Sequence, residues 1–182
     1  IDGLFPLYDL PWYGVAIEKL RRKKLGYFPY RLKTIQEQGA CLLHSHAGQY
    51  GREDYHLARA AGIPHVVSFY GSDIWQGSRD PEWMRAYSAM FEASDLFLVE
   101  GNAMRDKVIA LGCDADKVVV QHLGIDVDKI AFTPRAVQAG ENVTLLMAGR
   151  AIEKKGHLYG LQAFAKAVRR VENARLLIMT WG

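Results

Sequence analysis

From Ala40 onward, short apolar runs alternate with helix-patterned ones, and this alternation restricts the possible folds more than any other feature. ACLLHSH (40–46) predicts a strand, with Cys41 inside it. YGREDYHLARAAG (50–62) has helical spacing through Tyr55, Leu57, Ala58 and Ala61. It stops at Gly62, a residue that ends helices because it enters the left-handed region without steric cost. HVVSFYG (65–71) is β-branched and aromatic and predicts the next strand. Asp80 and Pro81 fit an N-cap and a first helical residue, ahead of Trp83, Met84, Tyr87, Met90 and Phe91 on one helix face. LFLVEG (96–101) is a strand, NAMRDKVIALG (102–112) a helix N-capped by Asn102 and stopped by Gly112, and KVVVQHLG (117–124) a strand. Strands that are apolar throughout need cover on both faces. The pattern therefore means an α/β fold, a parallel sheet with helices on either side and right-handed crossovers.

The texture then changes. Residues 132–141 carry Pro, Gly and polar side chains without a period and read as an interdomain linker. A fresh βαβ unit follows, with NVTLLMAGR (142–150) a strand, residues 155–171 a helix and ARLLIMTW (174–181) a strand. The expected division is a first domain over 1–131, a linker over 132–141 and the start of a second domain over 142–182. One βαβ unit leaves much apolar surface in water, so the chain is expected to be incomplete and to self-associate when alone. The opening, IDGLFPLYDL, has neither an initiator Met nor the pattern of a secretory leader.

Composition excludes little but helps. The net charge of +3 over 182 residues is too weak to argue for nucleic acid. No apolar run is long enough to span a bilayer. Cys41 and Cys113 do not make a disulfide framework and are expected as free thiols in a reducing compartment, which means the cytoplasm. The charge is uneven, however. Lys19, Arg21, Arg22, Lys23, Lys24, Arg31 and Lys33 lie in one run without an acid, just after Trp12, Tyr13, Val15 and Ile17. That run reads either as a solvated basic helix face or as peripheral contact with an anionic membrane surface through Lys19–Lys33.

Three segments carry chemistry. In MAGRAIEKKGH (147–157) a strand runs into a helix through Gly149, with Arg150 and Lys155 bracketing the turn. Two cations beside a helix N-terminus suit a diphosphate, the Arg as a fork and the Lys as a point charge. The alternative is a surface turn with solvated cations. In SFYGSDIW (68–75), at the carboxyl end of a strand, Gly71 permits close approach. Ser72 and Asp73 can bond sugar hydroxyls, and Tyr70 and Trp75 can stack on a ring; alternatively, Asp73 caps a turn and Trp75 is core. In LLHSHAGQYG (42–51), His44 and His46 share a strand face. No third metal ligand stands at a useful spacing, so they read as bonded histidines or as a polar pocket lining. No nucleophile elbow, Walker loop or dinucleotide fingerprint occurs in the right context.

In this order the segments resemble glycosyltransferase family 4, retaining enzymes of GT-B fold. The H-x-H strand end (His44, His46), YGSD (70–73), AMRDKVIALGCDADKVVV (103–120), HLGID (122–126) and GR-x4-KG (149–156) carry the likeness. The stretch from Ala103 to Asp126 is most similar to exopolysaccharide and lipopolysaccharide members. The resemblance implies two Rossmann-like domains with a nucleotide-diphosphate sugar bound between them. It implies Gly149, Arg150 and Lys155 on the donor diphosphate, and Tyr70 and Asp73 as catalytic candidates. His44, His46, Gly71 and Ser72 would line the sugar and acceptor pocket, and a glycan or lipid-linked acceptor would receive the sugar with retention. No cofactor or essential metal is implied. This chain departs from the family where Tyr70 stands for the His of HG-x-D, Leu123 for an Asn and Gly101 for a Ser. The family's first βα unit and its later glutamate motif are absent from residues 1–182. A non-catalytic scaffold or binding module, and a GT-B sugar-nucleotide epimerase, fit the same segments.

Overall fold

The computed structural model describes residues 10–134, 136, 138, 140–171 and 173–181. The first nine residues, Arg135, Val137 and Ala139 of the expected linker, Glu172 and Gly182 lie outside them. The chain forms two compact units, Ile1–Ile125 and Asp126–Gly182, so the division falls six residues ahead of the expected linker.

Among the described residues, unit 1 begins with two helices, α1 (Trp12–Leu25) and α2 (Pro29–Glu37). Four parallel strands follow in the order β1 (Leu43–His46), β2 (His65–Ser68), β3 (Leu96–Val99) and β4 (Val118–Val120). The register pairs Leu43 with His65, Val66 with Leu96 and Phe97 with Val118. Between the strands run α3 (Gly48–Ala61), the short α4 (Ser72–Trp75), α5 (Pro81–Ala93) and α6 (Asn102–Ala110). The alternation in the sequence is this topology, with each strand trimmed to the three or four residues that ladder.

Local signals explain most boundaries. Gly62 ends α3 in the left-handed region at φ 68°. The Asp80 carboxylate accepts the N–H groups of Glu82 and Trp83 and starts α5. Asn102, expected as a cap, is instead the first helical residue; Gly101, in extended conformation, occupies the cap position without a side-chain bond. Lys117 Nζ donates to the carbonyls of Phe91, Glu92 and Ser94 and closes the end of α5. The core lies between the sheet and α5, where Val67, Phe69, Tyr87, Met90 and Phe97 are fully buried or nearly so. The Phe91 and Phe97 rings meet edge to face at 5.3 Å, a favoured aromatic geometry.

One expectation fails at the edge of the sheet. Cys41 is exposed and precedes β1 rather than lying in a buried strand. The reason is position: β1 is the outer strand of the described sheet, so its leading residues have a neighbour on one side only. The basic run is also less bare than the sequence suggests. Arg22 meets Glu53 at 2.6 Å and Arg31 meets Asp54 at 2.6 Å, both acids coming from α3. A buried chain of polar contacts locks β1 to β2. Ser45 Oγ donates to Asp54 and contacts His65 Nε2 at 2.9 Å, while His65 Nδ1 meets Ser94 Oγ at 2.8 Å.

Unit 2 holds β5 (Val143–Arg150), α7 (His157–Ala167) and β6 (Ala174–Trp181), the strands parallel and in register from Val143–Ala174 to Arg150–Trp181. Leu146, Leu158, Met179 and Trp181 are each more than half exposed. Among the described residues, no helix is long and apolar enough to cross a membrane.

Candidate functional site

In unit 1 the polar residues singled out in the sequence gather at the carboxyl ends of β1 and β2. β1 ends at His46, and the chain enters α3 through Ala47, held at φ 89° and ψ 140°. A residue with a Cβ rarely adopts this conformation. The Ala47 N–H donates to the Ser68 carbonyl at 2.9 Å and so extends the ladder past the strand. β2 ends at Ser68, and the chain turns at Gly71, φ 115° and ψ −75°, where a side chain would be strained.

The two turns are tied by Asp73. Its carboxylate accepts the N–H of Gly48 at 2.9 Å, of Ile74 at 3.1 Å and of Tyr70 at 3.2 Å. Tyr87 Oη donates to the Asp73 carbonyl at 2.8 Å. Asp73 is 3% exposed. A Cβ at Gly48 would run into the Tyr87 hydroxyl and the Phe69 ring, so α3 starts against the core only because that residue is glycine.

Tyr70 and the two histidines form the exposed part. His46 Nδ1 and Tyr70 Oη are 2.6 Å apart, with the rings parallel. The His44 and His46 rings lie 4.2 Å apart, so the period-two reading of that strand face holds. His44 Nε2 meets Ser68 Oγ at 2.9 Å. Desolvation, and then the neighbouring His46, hold His44 below the ordinary imidazole range. Ser72 is exposed and Gly71 buried. Trp75 is 44% exposed, so it is not core. The structure thus brings His44, His46, Tyr70, Gly71, Ser72 and Asp73 together, with Asp73 facing inward. Among the described residues there is no group of three His, Cys, Asp or Glu side chains that could hold a metal ion.

In unit 2, Gly149, next to last in β5 and still paired with Thr180, has φ 154°. A Cβ there would lie 3.6 Å from Cγ and Cδ of Lys155, so the lysine stem passes over the glycine. Lys155 ends a short 3-10 turn, and Gly156, left-handed at φ 71°, caps α7. Among the described residues, Arg150 and Lys155 have no ion-pair partner. The turn adds a residue not singled out in the sequence. His157 Nε2 meets the Arg150 carbonyl at 3.0 Å, while its Nδ1 is buried without a partner. Its place directly after Lys155-Gly156 was the only sign of this.

Known proteins resemble the chain in sequence and in fold. The family model of Glycosyltransferase Family 4 matches residues 6–129. The amylovoran biosynthesis glycosyltransferase AmsK of Erwinia amylovora is 31% identical over 91 residues, 50% of this chain and 22% of that protein. A putative colanic acid biosynthesis glycosyltransferase, WcaL of Salmonella typhimurium, is 28% identical over 96 residues, 52% of this chain and 23% of that protein. The chain therefore covers less than a quarter of the length of these curated relatives. Among solved structures, Anabaena Alr3699/HepE in complex with UDP superposes with a TM-score of 0.60 at 14% identity, covering 82% of this chain and 50% of that one. The apo lipopolysaccharide outer core galactosyltransferase WaaB gives 0.54 at 11% identity, covering 88% and 49%. At such identities the two structures speak to the fold, which is that of GT-B glycosyltransferases. By the match across most of unit 1, the chain belongs to glycosyltransferase family 4.

Proposed function

We propose that the chain is part of a glycosyltransferase that moves a sugar from a nucleotide-diphosphate sugar to a glycan or lipid-linked acceptor, with retention. Membership of the family supports the reaction class. The relatives named for amylovoran and colanic acid biosynthesis support a polysaccharide product. HepE, of similar fold, was crystallised with UDP. Action in the cytoplasm, expected from the cysteine content, belongs to the same proposal.

The observation that carries the reading is the turn from Gly149 to Gly156. Lys155 is laid over a glycine at a strand end, beside Arg150 and just ahead of a helix N-terminus. Two cations carried by one turn ahead of a helix N-terminus suit a diphosphate. In the transfer step they would stabilise the charge that develops on the departing diphosphate, and no metal is then required for that task. Within unit 1, His44, His46, Tyr70 and Ser72 are the candidates for a sugar or acceptor pocket. Asp73, its carboxylate already holding backbone N–H groups, would position the Tyr70 loop rather than touch the reacting atoms.

The test is calorimetry with UDP and GDP on the full-length protein that carries this chain. Arg150→Ala and Lys155→Ala are each expected to weaken the preferred nucleotide by about 1.5–3 kcal/mol, as for hydrogen bonds to charged groups. Unchanged affinity in both variants would remove the assignment.

A further inference from the structure

Beside the turn that carries Tyr70, unit 1 has a small open pocket between the start of α3, the short α4 and the start of α5, with a volume of about 290 Å³. Gln49 on the first turn of α3, Ser72 on α4, Gln76 just after it and Asp80 ahead of α5 line it, and Gly77 and Trp83 complete the wall. The Trp83 ring is held at two points. The Arg52 guanidinium lies 4.3 Å from its centroid. A Cβ at Gly77 would strike the ring, so the chain closes on it only because that residue is glycine. A wall fixed in advance loses little freedom when a ligand meets it.

The polar groups around this pocket are largely uncommitted. The Gln49 and Gln76 carboxamides and the Ser72 hydroxyl have no hydrogen-bond partner among the described residues. Asp80 gives Oδ1 to the Glu82 and Trp83 N–H groups, which leaves Oδ2 open. Asp73, also at the wall, has both oxygens on backbone N–H groups. Among the described residues, no lysine or arginine lines the pocket. A phosphate or carboxylate needs donors and a cation, and would face two acids here. A bare cation needs acceptors, and would leave the carboxamide N–H groups unused. Sugar hydroxyls both donate and accept, as the carboxamides and the serine do. We propose that the pocket holds one neutral sugar ring, a unit of the acceptor glycan next to the one that reacts. Its volume falls just below the range of about 300–1,000 Å³ for drug-sized ligands, which fits a single ring rather than a nucleotide. The role as an acceptor unit rests on the transferase reading; the binding of a neutral sugar does not.

The experiment is saturation-transfer-difference NMR on the full chain with the methyl pyranosides of glucose, galactose and mannose, set against glucose 6-phosphate and glucosamine. Saturation is expected to reach a neutral glycoside more strongly than either charged sugar. Gln49→Ala and Gln76→Ala should each weaken that binding about fivefold, the loss of one ordinary hydrogen bond, and roughly 25-fold together. Both side chains are exposed, so the variants should fold as the parent does. Gln38→Ala, exposed at the end of α2, should change nothing. No transfer to any neutral glycoside, a preference for either charged sugar, or parent-like binding by the double variant would each overturn the proposal. Glycoside binding is read without nucleotide, and nucleotide binding through Arg150 and Lys155 is read without glycoside, so either reading can fail while the other stands.

Discussion

The carboxylate of Asp73 accepts the backbone N–H of Gly48 at 2.9 Å, across 25 residues of chain. That one bond joins the turn after β1 to the turn after β2. It explains how two loops at the sheet edge hold a common geometry. The same carboxylate takes the N–H groups of Tyr70 and Ile74, so the group has little left to offer a ligand. A buried carboxylate is tolerable here because backbone donors replace its water.

Removing that carboxylate strands buried donors. Asp73→Ala is expected to lower unfolding free energy by about 3 kcal/mol, the upper range for hydrogen bonds to a charged group. Asp73→Asn, which keeps one acceptor oxygen, should lose less. Urea denaturation of the three proteins side by side would measure this. A midpoint for Asp73→Ala equal to that of the parent would mean the loops are held by other contacts.

Ala47 offers the opposite test. Its φ of 89° is one that glycine adopts freely and alanine does not. Ala47→Gly should therefore stabilise the fold by about 1 kcal/mol, relief of backbone strain exceeding the added freedom of the unfolded chain. Thermal melts would show it as a raised midpoint. A lowered midpoint would mean the alanine methyl packs to more effect than the strain costs.

Acid should weaken unit 1 before carboxylates titrate. Burial, the largest cause, holds His65 below its ordinary value of 6.5, with Asp54 and Asp95 opposing and His44 adding. A group whose folded pKa is depressed binds the extra proton in the unfolded chain first. Stability is therefore full above about pH 6.5 and declines as pH falls toward the folded pKa. Denaturation curves between about pH 7.5 and 5 should show this fall. A His65→Asn variant should show a shallower dependence over the same range, and an equal slope would assign the effect to another group.

Residues near one another in sequence settled much of the protein. The βα alternation, the Gly62 stop, the Asp80 cap and the span of the last strand, Ala174–Trp181, were legible. Each depends on a period or a cap within a few residues. So was the pairing of His44 with His46, since side chains two apart on a strand share a face. What the sequence could not display was which distant group each side chain would meet. Asp73 read as a sugar ligand or a cap, and nothing near it in sequence pointed to the Gly48 N–H that its carboxylate accepts. Arg22 and Arg31 lie in a run that holds no acid, and it is α3 that brings Glu53 and Asp54 against them. Cys41 read as core until β1 proved to be the outer described strand. Periodicity and capping are short-range consequences of backbone geometry, whereas partners and burial come from packing elements that lie tens of residues apart.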